Sequence, residues 1–259
     1  MSALLLRLAG PLQSWGERSV FTTVRDSAPF PTRSALIGIF AAAEGLGRDD
    51  GGLERYEDLQ LTVRVDRPGV RLTDYHTVGG GLPKAQTAAT SGGSNKGAAV
   101  ITRRHYLADA VFVVAVAGPD DTTARLAGAL RRPHWAPYLG RRSCVPDEPF
   151  VLRDHVDDPE RELCTRVPLS RATPTNRNGD GTETVAVTFL REQPPTGDPA
   201  QPVDILDVND VPVSFAQHGR SHRARRLYRS VEQLPQDLTG PPPTLLRRLI
   251  DYAQTEDPA

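Results

Sequence analysis

Cysteine, lysine and methionine are scarce in this 259-residue chain: Cys144, Cys164, Lys84, Lys96 and one methionine are all it has. Two isolated cysteines provide neither a disulfide framework nor a metal-binding Cys-x-x-Cys pair, the usage of a reducing compartment. Long apolar runs are missing too. The longest, 3–6 and 110–117, fall far short of the roughly 18–20 residues that cross a bilayer. Arg7 closes the first run and no small-residue cleavage site follows, so no signal peptide is expected, and the expected location is cytoplasmic, with no membrane partner. No Walker-type loop and no His-Glu-x-x-His occur, and the glycines at 79–81 lack dinucleotide-site spacing, so no cofactor is expected. His218 and His222 have helical i, i+4 spacing but no third ligand, which argues against a metal.

What is present is arginine. The formal net charge is −1, yet of 31 basic side chains all but two are arginines, whose planar fork suits phosphates and base edges. GC-rich coding and selection for RNA contacts both produce that bias. The clusters at 103–104, 131–132, 141–142, 220–229 and 247–248 stand apart from acidic stretches at 147–162 and 204–210, the pattern of one basic surface on a near-neutral protein.

Residues 2–8 read as a strand covered on both faces. Thr32 or Ser34 caps a helix that glycines stop at 45–47, Leu61, Val63 and Val65 alternate as a half-buried strand, and 110–117 is a buried β-branched run. Asp120 and Asp121 open a second helix that Arg131, Arg132 and Pro133 close. A strand near 150–152 completes a βαββαβ order, so the expected class is α+β, a ferredoxin-like (RRM-like) lobe over 1–154. Residues 155–259 are expected to form a smaller, irregular, mainly β lobe, with a strand at 184–190 and a final helix at 244–253.

The stretch 74–104 is rich in glycine and poor in large apolar side chains, and it holds both lysines. It reads either as a disordered surface loop or as an arm that meets something anionic. His76 and His105, beside tyrosines and arginines, are equipped either for metal-independent RNA cleavage or for RNA binding. Residues 137–144 combine Tyr138, Gly140, Arg141, Arg142 and Ser143, which is equipment for stacking and bidentate contacts, or a tight turn with solvated arginines.

Five ordered segments then carry a resemblance: LRLAGPLQSWG at 6–16, FPTRSALIG at 30–38, DYHTV at 74–78, RHYLADA at 104–110 and PYLGRRSC at 137–144. They resemble the CasD family of type I-E CRISPR Cascade subunits, an RNA-binding, repeat-associated family of ferredoxin-like fold. The resemblance implies a non-catalytic subunit in antiviral defence that binds the 5′ handle of the crRNA and caps the backbone filament. It implies that 74–104 is a thumb crossing the guide, and that the partners are the Cascade backbone subunit and the large subunit, with target DNA nearby. The motifs that carry the resemblance supply the candidate RNA-binding positions Gln13, Trp15, Arg33, Ser34, Tyr75, His76, Thr77, Arg104, Tyr138, Gly140, Arg141, Arg142 and Ser143, and the basic residues in and beside the arm add Lys84, Lys96 and Arg103. The alternative is a metal-independent endoribonuclease that processes precursor crRNA, as relatives in another subtype do.

Overall fold

The structure is a computed structural model that describes residues 2–17, 23–79, 83, 86–87, 99–171, 176–177, 183–195, 202–216 and 219–255. Its strands are β1 (Ser2–Ala9), β2 (Leu12–Gln13), β3 (Val24–Arg25), β4 (Gln60–Arg67), β5 (Val70–Val78), β6 (Val100–Ala108), β7 (Val111–Gly118), β8 (Val151–Val156), β9 (Asn176–Arg177), β10 (Glu183–Arg191), β11 (Asp204–Ser214) and β12 (Ser221–Pro235). The helices are α1 (Arg33–Ala43), α2 (Asp120–Arg131), α3 (Pro159–Thr165) and α4 (Pro242–Gln254).

The continuous apolar run at the start becomes β1, buried at every residue. Its even-numbered leucines, Leu4, Leu6 and Leu8, pack with α1 and α2 residues such as Phe40 and Leu126, while Ala3 and Leu5 enter a second core with Leu163 of α3 and Leu249 of α4. A strand with apolar side chains on both faces is stable only between two layers, and each buried leucine contributes about 1.5–3 kcal/mol. The result is an α+β fold in which one large sheet has helices on both faces.

That sheet runs β11–β12–β10–β4–β7–β1–β8, with β9 on β10. The expected helix start holds: Thr32 caps α1 by accepting the Ala35 N–H at 3.3 Å, and Gly45 beyond its end is left-handed at φ 79°. At the start of α2, Asp120 accepts the Ser2 N–H at 2.8 Å and so ties the helix to β1.

Three expectations are corrected. The segment beyond 155 is not irregular: β10 pairs with β4 over residues 188–191 and β12 pairs with β10 residue for residue, so long strands continue the first sheet. His222 lies in strand β12 rather than on a helix, and His218 lies outside the described residues. The arm does not begin at 74: β5 starts at Val70 and runs antiparallel to β6 with Val70 opposite Ala108 and Val78 opposite Val100. Alternation was hidden there because β5 is solvent-facing along most of its length, which removes the apolar-in, polar-out signature.

The two cysteines are free, Cys144 buried and Cys164 partly so. Among the described residues no helix is long and apolar enough to cross a membrane, and no group of three His, Cys, Asp or Glu side chains is placed to hold a metal ion.

Candidate nucleic-acid interface

A second, small sheet carries most of the candidate residues. β6 is its spine: β5 runs along one edge, and β2 and β3 pair at the other. Directly opposed residues on neighbouring strands share a face, so Tyr75 sits beside Arg103, Asp74 beside Arg104 and His76 beside Thr102. Tyr75 is 62% exposed, an aromatic next to an exposed arginine. Thr77 is exposed further along, and His76 pairs with Asp74 at 3.3 Å. The strand pairing orders the backbone of β5 without a core beneath most of it, since alternate residues exchange N–H and C=O with β6 and the outward groups of this edge strand face away from the ladder.

The loop 137–144 closes against the start of this sheet. Ser14 N donates to Leu139 O at 3.0 Å, Leu139 N to Cys144 O at 2.7 Å and Cys144 N to Arg141 O at 2.8 Å. Gly140 is left-handed, φ 86°, and a Cβ there would overlap the carbonyl oxygen of Ser14, so only glycine fits the close approach. That approach turns Arg141 over the Tyr106 ring, its Cζ 4.4 Å from the centroid, with Nη2 donating to Arg25 O at 3.3 Å. Arg142 and Ser143 project outward, and Tyr138 is half-buried. Burial raises the Cys144 thiol pKa, which leaves it protonated and poorly nucleophilic.

His105 lies among cations. Arg71 donates to its Nδ1, and arginine has no acceptor, so that nitrogen must carry a lone pair and the ring is neutral. Its pKa is lowered by loss of hydration first and then by the Arg71 charge, with Arg141 adding to the effect and Asp26 opposing it. Arg71 and Arg103 thus share one face of the ribbon with exposed Tyr75, Arg104 lies on the other face, and the loop brings Arg141 over Tyr106 with Arg142 exposed beside it: guanidiniums for phosphates and an aromatic face for a base.

Other candidates stand elsewhere. Gln13 and Trp15 are fully buried, and the Gln13 amide donates to Leu8 O at 3.0 Å and Ala110 O at 2.8 Å while accepting from Trp15 Nε1 at 3.1 Å. Those side chains support the 137–144 loop from behind rather than line the surface. Arg33 is buried at the start of α1, donating to Glu192 at 2.7 and 2.9 Å, Leu59 O at 2.9 Å and Tyr56 O at 2.9 Å. Ser34 approaches the Thr32 hydroxyl at 3.4 Å. Lys84 and Lys96 lie outside the described residues.

The arginine cluster at 220–229 is largely neutralised in the fold. Hairpin register sets Arg229 against Asp204 at 2.6 Å, and Arg225 bonds Asp210 at 2.6 and 2.8 Å. Stretches of opposite charge separated in sequence are thereby adjacent in space. Sequence reasoning missed Arg25, Arg71 and Trp135, which is 47% exposed beside the loop. Arg71 carried no periodic signal, because β5 is exposed along most of its length.

The chain matches the family described as "CRISPR-associated protein (Cas_Cas5)" over residues 3–228. It is 37% identical over 182 residues to "CRISPR system Cascade subunit CasD" of Escherichia coli (strain K12), covering 65% of this chain and 78% of that one. A chain of a solved "CRISPR RNA-guided surveillance complex" superposes with a TM-score of 0.84 at 46% identity, covering 98% of this chain and all of that one. A solved "Cas protein" superposes with a TM-score of 0.59 at 29% identity over 93% of this chain.

Proposed function

This chain belongs to the Cas5 family of CRISPR-associated proteins, and on that premise we propose that it is a non-catalytic Cascade subunit that grips the 5′ handle of the crRNA and caps the backbone filament. Likeness to a Cascade subunit and to a chain of an RNA-guided surveillance complex supports the reading. The observation that carries it is the joining of the β5–β6 ribbon, which bears Arg71, Arg103, Arg104 and exposed Tyr75, to the arginines of the 137–144 loop by the Arg141–Tyr106 stack. In this reading the ribbon is the root of the thumb, and the backbone and large subunits flank it, with target DNA nearby in the assembled complex.

We read the order β8–β1–β7–β4, all antiparallel, with α1 and α2 on one face, as a ferredoxin-like core. Residues 1–154 form the RNA-binding lobe and 155–259 a second lobe sharing its sheet. The cytoplasm is the compartment that suits this role.

One observation favours a second reading, a metal-independent endoribonuclease: His105 touches Arg71, and a substrate phosphate that drew the guanidinium away would free Nδ1 as a base beside a cation that stabilises phosphorane charge. Incubating the chain with repeat RNA without metal separates the two. Retention without cutting, weakened by Tyr75→Ala by about 1–3 kcal/mol for one lost base stack, is expected. Cutting abolished by His105→Ala would overturn the binding-only assignment.

A further inference from the structure

On the sheet face opposite α1 and α2, four arginines converge around one buried carboxylate, Asp66, with exposed Asp147 and Glu148 near Arg7 alone. Val113 of β7 lies opposite Arg7 of β1 on one side and Arg64 of β4 on the other, so the two arginines flank it about 10 Å apart at the usual interstrand spacing. Two residues of β4, Asp66 and Arg67, are spent against a single step of β7 between Phe112 and Val111, a bulge that turns both toward this face. Ser170 closes over it, its N–H donating to Asp66 Oδ2 at 2.9 Å, and Arg171 follows.

The charges do not balance. Asp66 is fully occupied by Arg64, at 2.7 and 3.1 Å, and by Ser170. Arg67 is drawn to exposed Asp109 at 2.8 Å. Arg7 is 8% exposed, yet its one side-chain hydrogen bond is a long 3.5 Å contact to Glu148 O, and no ion pair reaches it or Arg171 among the described residues. Of the six buried side-chain polar atoms without a partner among the described residues, four are here: Arg7 Nε, Arg67 Nε, Arg171 Nε and Ser170 Oγ. Burial lowers the pKa of both Arg7 and Arg171, against the opposing pull of Asp66 on each and of Asp147 and Glu148 on Arg7. A buried, hydrogen-bond-poor charge costs several kcal/mol, and native folds leave few such donors unanswered.

We propose that Arg7, Arg67, Ser170 and Arg171 form an oxyanion site that takes a phosphate group. Three guanidiniums and a hydroxyl offer more donors than the two oxygens of a carboxylate accept comfortably, whereas a phosphate presents several oxygens tetrahedrally. Arg67 bonds Asp109, which follows β6 directly, so the site adjoins the root of the ribbon. The phosphate is either a backbone group of bound RNA, which rests on the function proposed above, or free phosphate.

Thermal unfolding of the full chain in inorganic phosphate, chloride and acetate at equal ionic strength tests the site independently of RNA. The melting temperature is expected to be higher in phosphate than in either other salt, and the difference to vanish in Arg171→Gln and in Arg67→Gln. Arg7→Met, which replaces the buried charge by an apolar side chain of similar length, is expected to melt higher in chloride and to lose the phosphate response. If RNA supplies the group, the salt dependence of single-stranded RNA affinity falls by about 0.7 in logarithmic slope in Arg171→Gln. An unchanged slope with phosphate protection intact assigns the site to free phosphate. Failure of the wild-type chain to bind RNA would remove the handle reading and leave the phosphate arm to decide the site. No phosphate-specific stabilisation and no change in slope would overturn the proposal, and equal protection by acetate would do so in favour of a carboxylate partner.

Discussion

Arg141 lies over the ring of Tyr106 with its Cζ 4.4 Å from the ring centroid, while its neighbour Arg142 is exposed. Two adjacent arginines of one motif therefore have different work. Arg142→Ala is expected to weaken handle binding by about 1–3 kcal/mol if it meets a base edge, or to flatten the salt dependence if it meets phosphate, with melting unchanged. Arg141→Ala should also lower stability by about 1 kcal/mol through the lost cation–π contact. Full RNA affinity in the double variant, measured by direct titration, would remove the loop from the interface.

Gly140→Ala places a methyl group against the Ser14 carbonyl in a backbone region that favours glycine. The loop must move, so a loss of about 1–3 kcal/mol in urea unfolding is expected, together with weaker RNA binding. Wild-type stability in this variant would mean that the loop packs differently.

His105 gives a pH dependence whose sign follows from its lowered pKa. The unfolded chain binds its proton more readily than the folded one, so this group favours folding above the unfolded value, near 6.5, and that contribution is lost as pH falls through it toward the folded value. RNA acts in reverse: a nearby phosphate favours imidazolium, so a proton is taken up on binding and affinity should rise as pH falls below about 6.5. His105→Gln should remove that rise in binding curves measured across the range. A rise that persists in the variant would assign it to another group.

Glu192 joins Arg33 at the start of α1 to Arg225 of β12, and all three side chains are almost fully enclosed. Glu192→Gln leaves the buried Arg33 guanidinium without its anion and Arg225 with Asp210 alone, and a stability loss of about 3 kcal/mol is expected. Handle affinity of the folded fraction should be unchanged, because Arg33 faces this network rather than the β5–β6 ribbon. Denaturant titration with a parallel binding assay reads both. A normal melting curve with lost RNA binding would return Arg33 to the interface.

The sequence by itself determined the elements that bury a patterned face. β1 was legible because apolar residues run through it on both faces, and α1 and α2 because Thr32, Gly45 and the aspartates at 120–121 punctuate helical stripes. The family was legible in five ordered motifs, and Tyr75, Arg104 and Arg141 were named from them. Pairing belonged to the tertiary structure. Hairpin register decided that the arginines of β12 meet the aspartates of β11, and strand register that Tyr75 stands beside Arg103. Packing decided that Gln13, Trp15 and Arg33 turn inward while Arg142 turns out. Arg7 shows the limit most clearly: in sequence it is one basic residue in an apolar run, and only strand register shows it facing Arg64 across Val113, with no ion pair to a carboxylate among the described residues. Local sequence fixes backbone propensity and periodicity, but a charge acquires its partner, or is left without one, only when distant strands are brought to about 5 Å of each other.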